Sequence, residues 1–122
     1  MSKRSTFLRE DASRKMHLKI VITDPDPDNM VLVVSVSTIY QGAFHDNSCE
    51  IFPGDHSFIK NPSYVSYQYA MELDAVKILD EKFKGYIIQK GDVSIELLER
   101  IQRGARLSKF LPVYLKKYFE YF

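Results

Sequence analysis

The sequence predicts an α+β domain that is mainly β: a small antiparallel barrel or strongly bent sheet, closed or flanked by C-terminal helices. Two observations carry this. Apolar residues recur with period two through most of the first 90 residues and then with a period near 3.6 in the remainder of the 122-residue chain. Short polar or Pro/Gly-containing turns separate the strand-like stretches, which favours hairpins over crossover connections.

The chain is long enough for one domain with its own core. A formal net charge of +1 means that no whole-molecule field draws it to nucleic acid or anionic lipid, so any such binding needs a local patch. Cys49 is the single cysteine, which excludes an internal disulfide framework and fits a reducing compartment. The apolar runs are too short to cross a membrane, and residues 1–15 lack the apolar centre of a signal peptide. A cytoplasmic protein with no membrane partner is expected.

Residues 1–15 mix charges around Phe7-Leu8 and read as a flexible or loosely attached arm, with a short strand at Phe7-Leu8 as the alternative. The single domain is expected over 16–122. From His17 to Thr23 the residues alternate, Leu18, Ile20 and Ile22 on one face and His17, Lys19, Val21 and Thr23 on the other. Asp24 to Asn29 contains two prolines and must turn. Met30 to Thr38 is rich in β-branched residues with both faces partly buried. Gln41 to Asn47 reads as a polar loop, Ser48 to Phe52 as a short strand and Ser63 to Leu73 as a longer one, with Val76–Leu79 and Tyr86–Ile88 as further strand candidates. Asp92 can cap a helix over about 92–105, where Ile95, Leu98, Ile101 and Ala105 share a stripe, and Gly104 weakens its last turn. Pro112 can open a second helix over about 112–122. Its aromatics, Tyr114, Tyr118, Phe119, Tyr121 and Phe122, suit either packing on the sheet or a dimer seam.

Polar chemistry is densest in the turn Pro53-Gly54-Asp55-His56-Ser57-Phe58-Ile59 between two strands, a natural place for a binding or catalytic loop. The same turn can be structural, with Asp55 accepting backbone amides and His56 satisfied by a carbonyl. His17, His45, Cys49, Asp55 and His56 are metal-ligand types, but no Cys-x-x-Cys or His-x-x-x-His spacing joins them, so no metal site is expected. Cys49 reads as a small buried hydrophobe.

Several stretches resemble the MazF/PemK family of toxin endoribonucleases. The strand His17-Leu18-Lys19-Ile20-Val21-Ile22 with its acidic turn, the strand Leu32-Val33-Val34-Ser35-Val36-Ser37-Thr38, the strand Ser63-Tyr64-Val65-Ser66-Tyr67 with Leu73-Asp74, and Glu96-Leu97-Leu98-Glu99-Arg100-Ile101 are each similar to family segments. Together they span roughly Leu18 to the C-terminus. The Pro-Gly-Asp-His-x-Phe-Ile turn looks like a feature of a divergent PemK-like subgroup. The resemblance implies an SH3-like barrel, a homodimer, and metal-independent cleavage of single-stranded RNA through a 2′,3′-cyclic phosphate without a cofactor. It also implies an antitoxin that lays an acidic, apolar peptide across the dimer. The family's catalytic Ser or Thr falls at Ser37 or Thr38. Its catalytic Arg falls at His17, a departure, and Tyr69 and Met71 stand where the family often has Gln and Arg.

Metal-free RNA cleavage needs a base for the 2′-hydroxyl, an acid for the leaving oxygen and donors toward the phosphate. His17 and His56 are the candidates for base and acid, Asp55 for orienting an imidazole, Thr38 for donating to phosphate, and Ser37 and Tyr67 for holding substrate. The alternative is a catalytically inactive domain of the same fold that binds protein or nucleic acid, with Tyr64, Tyr67 and Tyr69 as cross-strand packing.

Overall fold

The computed structural model describes residues 1–122. Its strands are β1 (Thr6–Glu10), β2 (Met16–Val21), β3 (Met30–Thr38), β4 (Glu50–Ile51), β5 (Ser63–Val65), β6 (Met71–Asp74) and β7 (Ile87–Lys90). Helix α1 (Ala75–Phe83) joins β6 to β7, α2 (Ile95–Leu107) follows β7, and 3₁₀ segments occupy Tyr67–Tyr69 and Val113–Tyr121. All strand pairs are antiparallel, in the order β4-β5-β3-β2-β1-β7 with β6 also on β3, and the sheet is open.

Period-two alternation places a separate core on each face of this sheet. Leu18, Ile20, Ile22, Leu32, Val34 and Val36 face one way and meet Leu97, Leu98, Ile101 and Ala105 of α2, with Leu115 and Tyr118 from the last 3₁₀ segment, in a core of 20 residues. Val21, Val31 and Val33 face the other way and join Phe7, Ala75, Ile78 and Ile87 in a core of 7 residues beneath α1. No helix is long and apolar enough to cross a membrane.

Five expectations are corrected. Residues 1–15 are not a loose arm: β1 pairs with β2 on one side and β7 on the other, and Phe7 is wholly buried. Val76–Leu79 is helical because Asp74 accepts the Val76 amide at 2.8 Å and so caps α1, while Ala75 and Ile78 fall on one buried helical stripe. The stretch Ser63 to Leu73 is not one strand. It leaves β3 at Ser66, makes a 3₁₀ turn and returns as β6, so that β3 is paired along the same edge by two partners. Helix α2 starts later than expected, capped by Ser94 through the Leu97 amide at 3.0 Å and not by Asp92, and residues 113–121 wind as 3₁₀.

Candidate active site

The face of the sheet beneath α1 changes character along its length. At one end it is apolar, through Val21, Val31 and Val33. Continuing the alternation by two and four residues brings Lys19 and His17 on β2, and Ser35 and Ser37 on β3, onto the same face. Here the surface opens into two adjoining clefts that share His17 and Ser37.

The first cleft, about 570 Å³, is lined by Lys15, His17, Ser37, Thr38, Tyr40, Phe44, His45, Phe58, Lys60 and Tyr64. Two of its groups are imidazoles backed by carboxylates. The His17 Nδ1 atom lies against Asp11, whose carboxyl is held down to about 2, chiefly by the Ser13 hydroxyl and with help from His17 and Lys19. The His45 Nε2 atom lies 2.6 Å from Glu50 Oε2 at the start of β4, and the ring tilts against Tyr64 at 5.2 Å. No protein group hydrogen-bonds the second nitrogen of either ring. A carboxylate beside one nitrogen orients the ring and leaves the other nitrogen to face a substrate.

The second cleft, about 600 Å³, is lined by Asp11, Ser13, His17, Lys19, Ser35, Ser37, Ser66 and Tyr69 among others. Ser66 donates to the Ser35 carbonyl at 3.1 Å, and its oxygen lies 3.2 Å from the Ser37 hydroxyl. Tyr69, 61% exposed, presents a free aromatic face at the rim.

Three of the expected site residues, His17, Ser37 and Thr38, therefore line one cleft. Asp55, His56 and Tyr67 do not. His56 is buried, and both its nitrogens are engaged: Nδ1 accepts the Phe58 amide at 3.0 Å, so the proton sits on Nε2, which donates to the Gly91 carbonyl at 2.6 Å. An imidazole so occupied stitches the turn to the β7–α2 link and has neither nitrogen free to meet a substrate. The Thr6 hydroxyl donates to that same carbonyl at 2.7 Å, tying β1 to the junction.

Asp55 closes its own turn by accepting the Phe52 amide at 2.8 Å and pairs with Arg100 of α2 at 3.0 Å, while Arg100 also donates to the Glu50 carbonyl at 2.8 Å. Burial opposes its ionisation, but these donors outweigh it and hold the carboxyl below its ordinary range. The Tyr67 hydroxyl donates to the Ile101 carbonyl at 2.6 Å from within the larger core, and burial pushes its phenol well above the usual range. Cys49 packs beside it, its thiol also raised by burial.

The depressed pKa of Asp55 makes a prediction. A carboxyl whose folded pKa lies below its unfolded one stabilises fully above the unfolded value, and the contribution disappears as pH falls through the folded value. Asp55→Asn is expected to cost about 1 kcal/mol at neutral pH, the scale of a partly exposed charge-assisted hydrogen bond. Denaturant melts of both proteins should converge as the pH drops below the ordinary 3.8. A gap that stayed constant down to pH 2 would remove the Arg100 pairing as its cause.

His45 and Glu50 were not singled out together from the sequence. Their signal is a histidine in a polar loop five residues before a carboxylate on a short strand, which does not tell whether the ring points outward or in. No cluster of three or more His, Cys, Asp or Glu side chains is placed to hold a metal ion. Neither protein-family models nor curated proteins give a match to this chain.

Proposed function

We propose that this chain is a metal-independent endoribonuclease acting on single-stranded RNA, a divergent MazF/PemK-like toxin whose bent sheet is a variant of that family's SH3-like barrel. One observation carries the reading: His17 with Asp11 and His45 with Glu50 open onto a single cleft also lined by lysines and exposed aromatic rings. One imidazole takes the 2′-hydroxyl proton as that oxygen attacks phosphorus. The other gives a proton to the departing 5′-oxygen, leaving a 2′,3′-cyclic phosphate and a 5′-hydroxyl. Ser37 and Thr38 donate to the phosphate oxygens, and Tyr40, Phe44 and Tyr64 offer stacking faces to unpaired bases, with Lys15 and Lys60 beside the backbone. His17 thus takes the position of the family's arginine in a different chemical role, and His45 replaces His56 as its partner. A homodimer, a cytoplasmic setting and an antitoxin whose acidic, apolar peptide covers the cleft go with this reading, as in that family.

The test is incubation of the purified chain with a long unstructured RNA in EDTA, with the new ends mapped. His17→Ala and His45→Ala are each expected to lower the cleavage rate about 100-fold, the usual scale for loss of a general acid or base. Phe83→Ala, at an exposed ring at the end of α1 that lines neither cleft, should leave it unchanged. A bell-shaped pH–rate profile should lose one limb in each histidine variant. RNA retained by the protein but never cut would instead favour the non-catalytic binding domain.

A further inference from the structure

Lys19 is the most unusual charge in the molecule. Its residue is only 2% exposed, and no carboxylate lies within ion-pair distance of its ammonium. Its one hydrogen-bond partner is the hydroxyl of Ser35, directly opposite on β3, with Nζ to Oγ at 2.6 Å. Buried charges in folded proteins are ordinarily paired, because an unpaired ion forfeits its hydration without recompense. This one instead lines the cleft that borders His17.

The donor count shows what the arrangement suits. A protonated amine has three N–H groups and nothing to accept with. One is given to Ser35, and two have no protein acceptor. Since the Ser35 oxygen is accepting from Lys19, its own proton is left to donate, and no protein acceptor takes it. Three donors thus remain without acceptors around a buried positive charge. Arg9, on the neighbouring strand and itself paired with Glu81 at 3.3 Å, adds to the positive potential there, and Asp11 on the cleft wall, turned toward Ser13 and His17, opposes it. Burial lowers the pKa of the Lys19 ammonium, and Asp11, beyond ion-pair distance, offsets this only in part.

We infer that Lys19 and Ser35 form a phosphate-binding subsite, and that the anion it takes is the RNA phosphodiester held next to His17. The identity of that phosphodiester rests on the nuclease reading, whereas the subsite rests on the uncompensated lysine. In the reaction Lys19 would act as a catalytic residue by facing the non-bridging oxygens, whose charge grows as the 2′-oxygen attacks, and it would transfer no proton.

The experiment measures two things on the full chain: the rise in melting temperature with inorganic phosphate against chloride at equal ionic strength, and RNA cleavage in EDTA. Wild type should show a phosphate-dependent rise. Lys19→Met should melt higher than wild type in chloride, because it removes an unpaired buried charge, yet bind phosphate at least tenfold more weakly and cleave RNA about 100-fold more slowly. Ser35→Ala, which keeps the charge and removes one donor, should weaken phosphate binding several-fold, and it answers the question should Lys19→Met fail to fold. His17→Ala should keep the phosphate-dependent rise while losing cleavage. A wild type that binds phosphate through Lys19 but cuts no RNA would retain the subsite and remove the nuclease. Phosphate binding that is absent from wild type, or undiminished in both Lys19→Met and Ser35→Ala, would overturn the subsite whatever the cleavage result.

Discussion

A chain beginning at residue 11 is expected not to fold, and Phe7→Ala alone to cost about 4 kcal/mol, as for other buried aromatic side chains cut back to alanine. Against a typical domain stability of about 5–15 kcal/mol this is a large fraction from one ring. Phe7 is fully buried in the smaller core, where only six other buried residues share the load. Its strand also pairs in both directions, with Met16 through Ile20 in β2 and with Ile87 through Lys90 in β7. Ahead of it, Arg4 donates its side-chain Nε–H to the Val93 carbonyl at 2.8 Å and accepts the Val93 amide at 3.0 Å, fastening the approach to α2. Removing residues 1–10 therefore strips the sheet partner of β7 and unroofs Val21 and Val33 together. Circular dichroism and guanidinium melts of the shortened chain and of Phe7→Ala provide the check. A shortened chain with a cooperative melt within about 1 kcal/mol of the full one would show β1 to be an accessory.

Gly104→Leu is expected to destabilise by about 2 kcal/mol net, although leucine is much the better helix former. Exchanging an interior glycine for a good helix former returns about 1 kcal/mol. The first added carbon, however, would stand 2.3 Å from the Tyr67 hydroxyl, 2.8 Å from Cys49 Cβ and 3.0 Å from the Ser48 carbonyl. The Tyr67 hydroxyl cannot swing aside without abandoning the Ile101 carbonyl inside the core, and the other two atoms belong to the chain entering β4. Overpacking of this kind costs up to about 3 kcal/mol, so sterics exceed propensity. The melting temperature would read the result directly. A Gly104→Leu protein as stable as wild type would mean that α2 can lift from β4 freely.

That glycine also marks where local reading stops. From neighbours in sequence it looked like a weak last turn, whereas its reason is a tyrosine 37 positions earlier that needs the space. The strands at 16–21 and 30–38 were legible because period-two patterns of branched apolar residues leave few alternatives, and the same pattern put His17 and Lys19 on one face. β1 was obscured because Thr6, Arg9 and Glu10 surround only two apolar residues, and its burial comes from partners far along the chain. Val76-Lys77-Ile78-Leu79 on its own reads as a strand, although Asp74 as a cap and the Ala75, Ile78 spacing mark α1. For the site, His17, Ser37 and Thr38 were reached through the family resemblance, which places its catalytic positions at the ends of these two strands. The histidines in loops were not. His56 sits in the richer motif and turns inward to the Gly91 carbonyl, while His45 sits in a plainer loop and faces the cleft. Which way a loop imidazole points depends on acceptors supplied by other segments, and those have no local signature.

The pairing of residues 6–9 with 87–90 spans most of the chain. During synthesis β1 can find β2 almost at once, but the far edge of this hairpin and the ring of Phe7 wait until β7 has been made. Contacts of such sequence separation form late and slow the overall rate. For that interval the growing chain carries an uncapped strand beside an apolar ring, the kind of surface on which nascent proteins associate wrongly. The yield of native protein in a cell is thereby tied to how quickly translation reaches its last quarter, a dependence set by strand order alone.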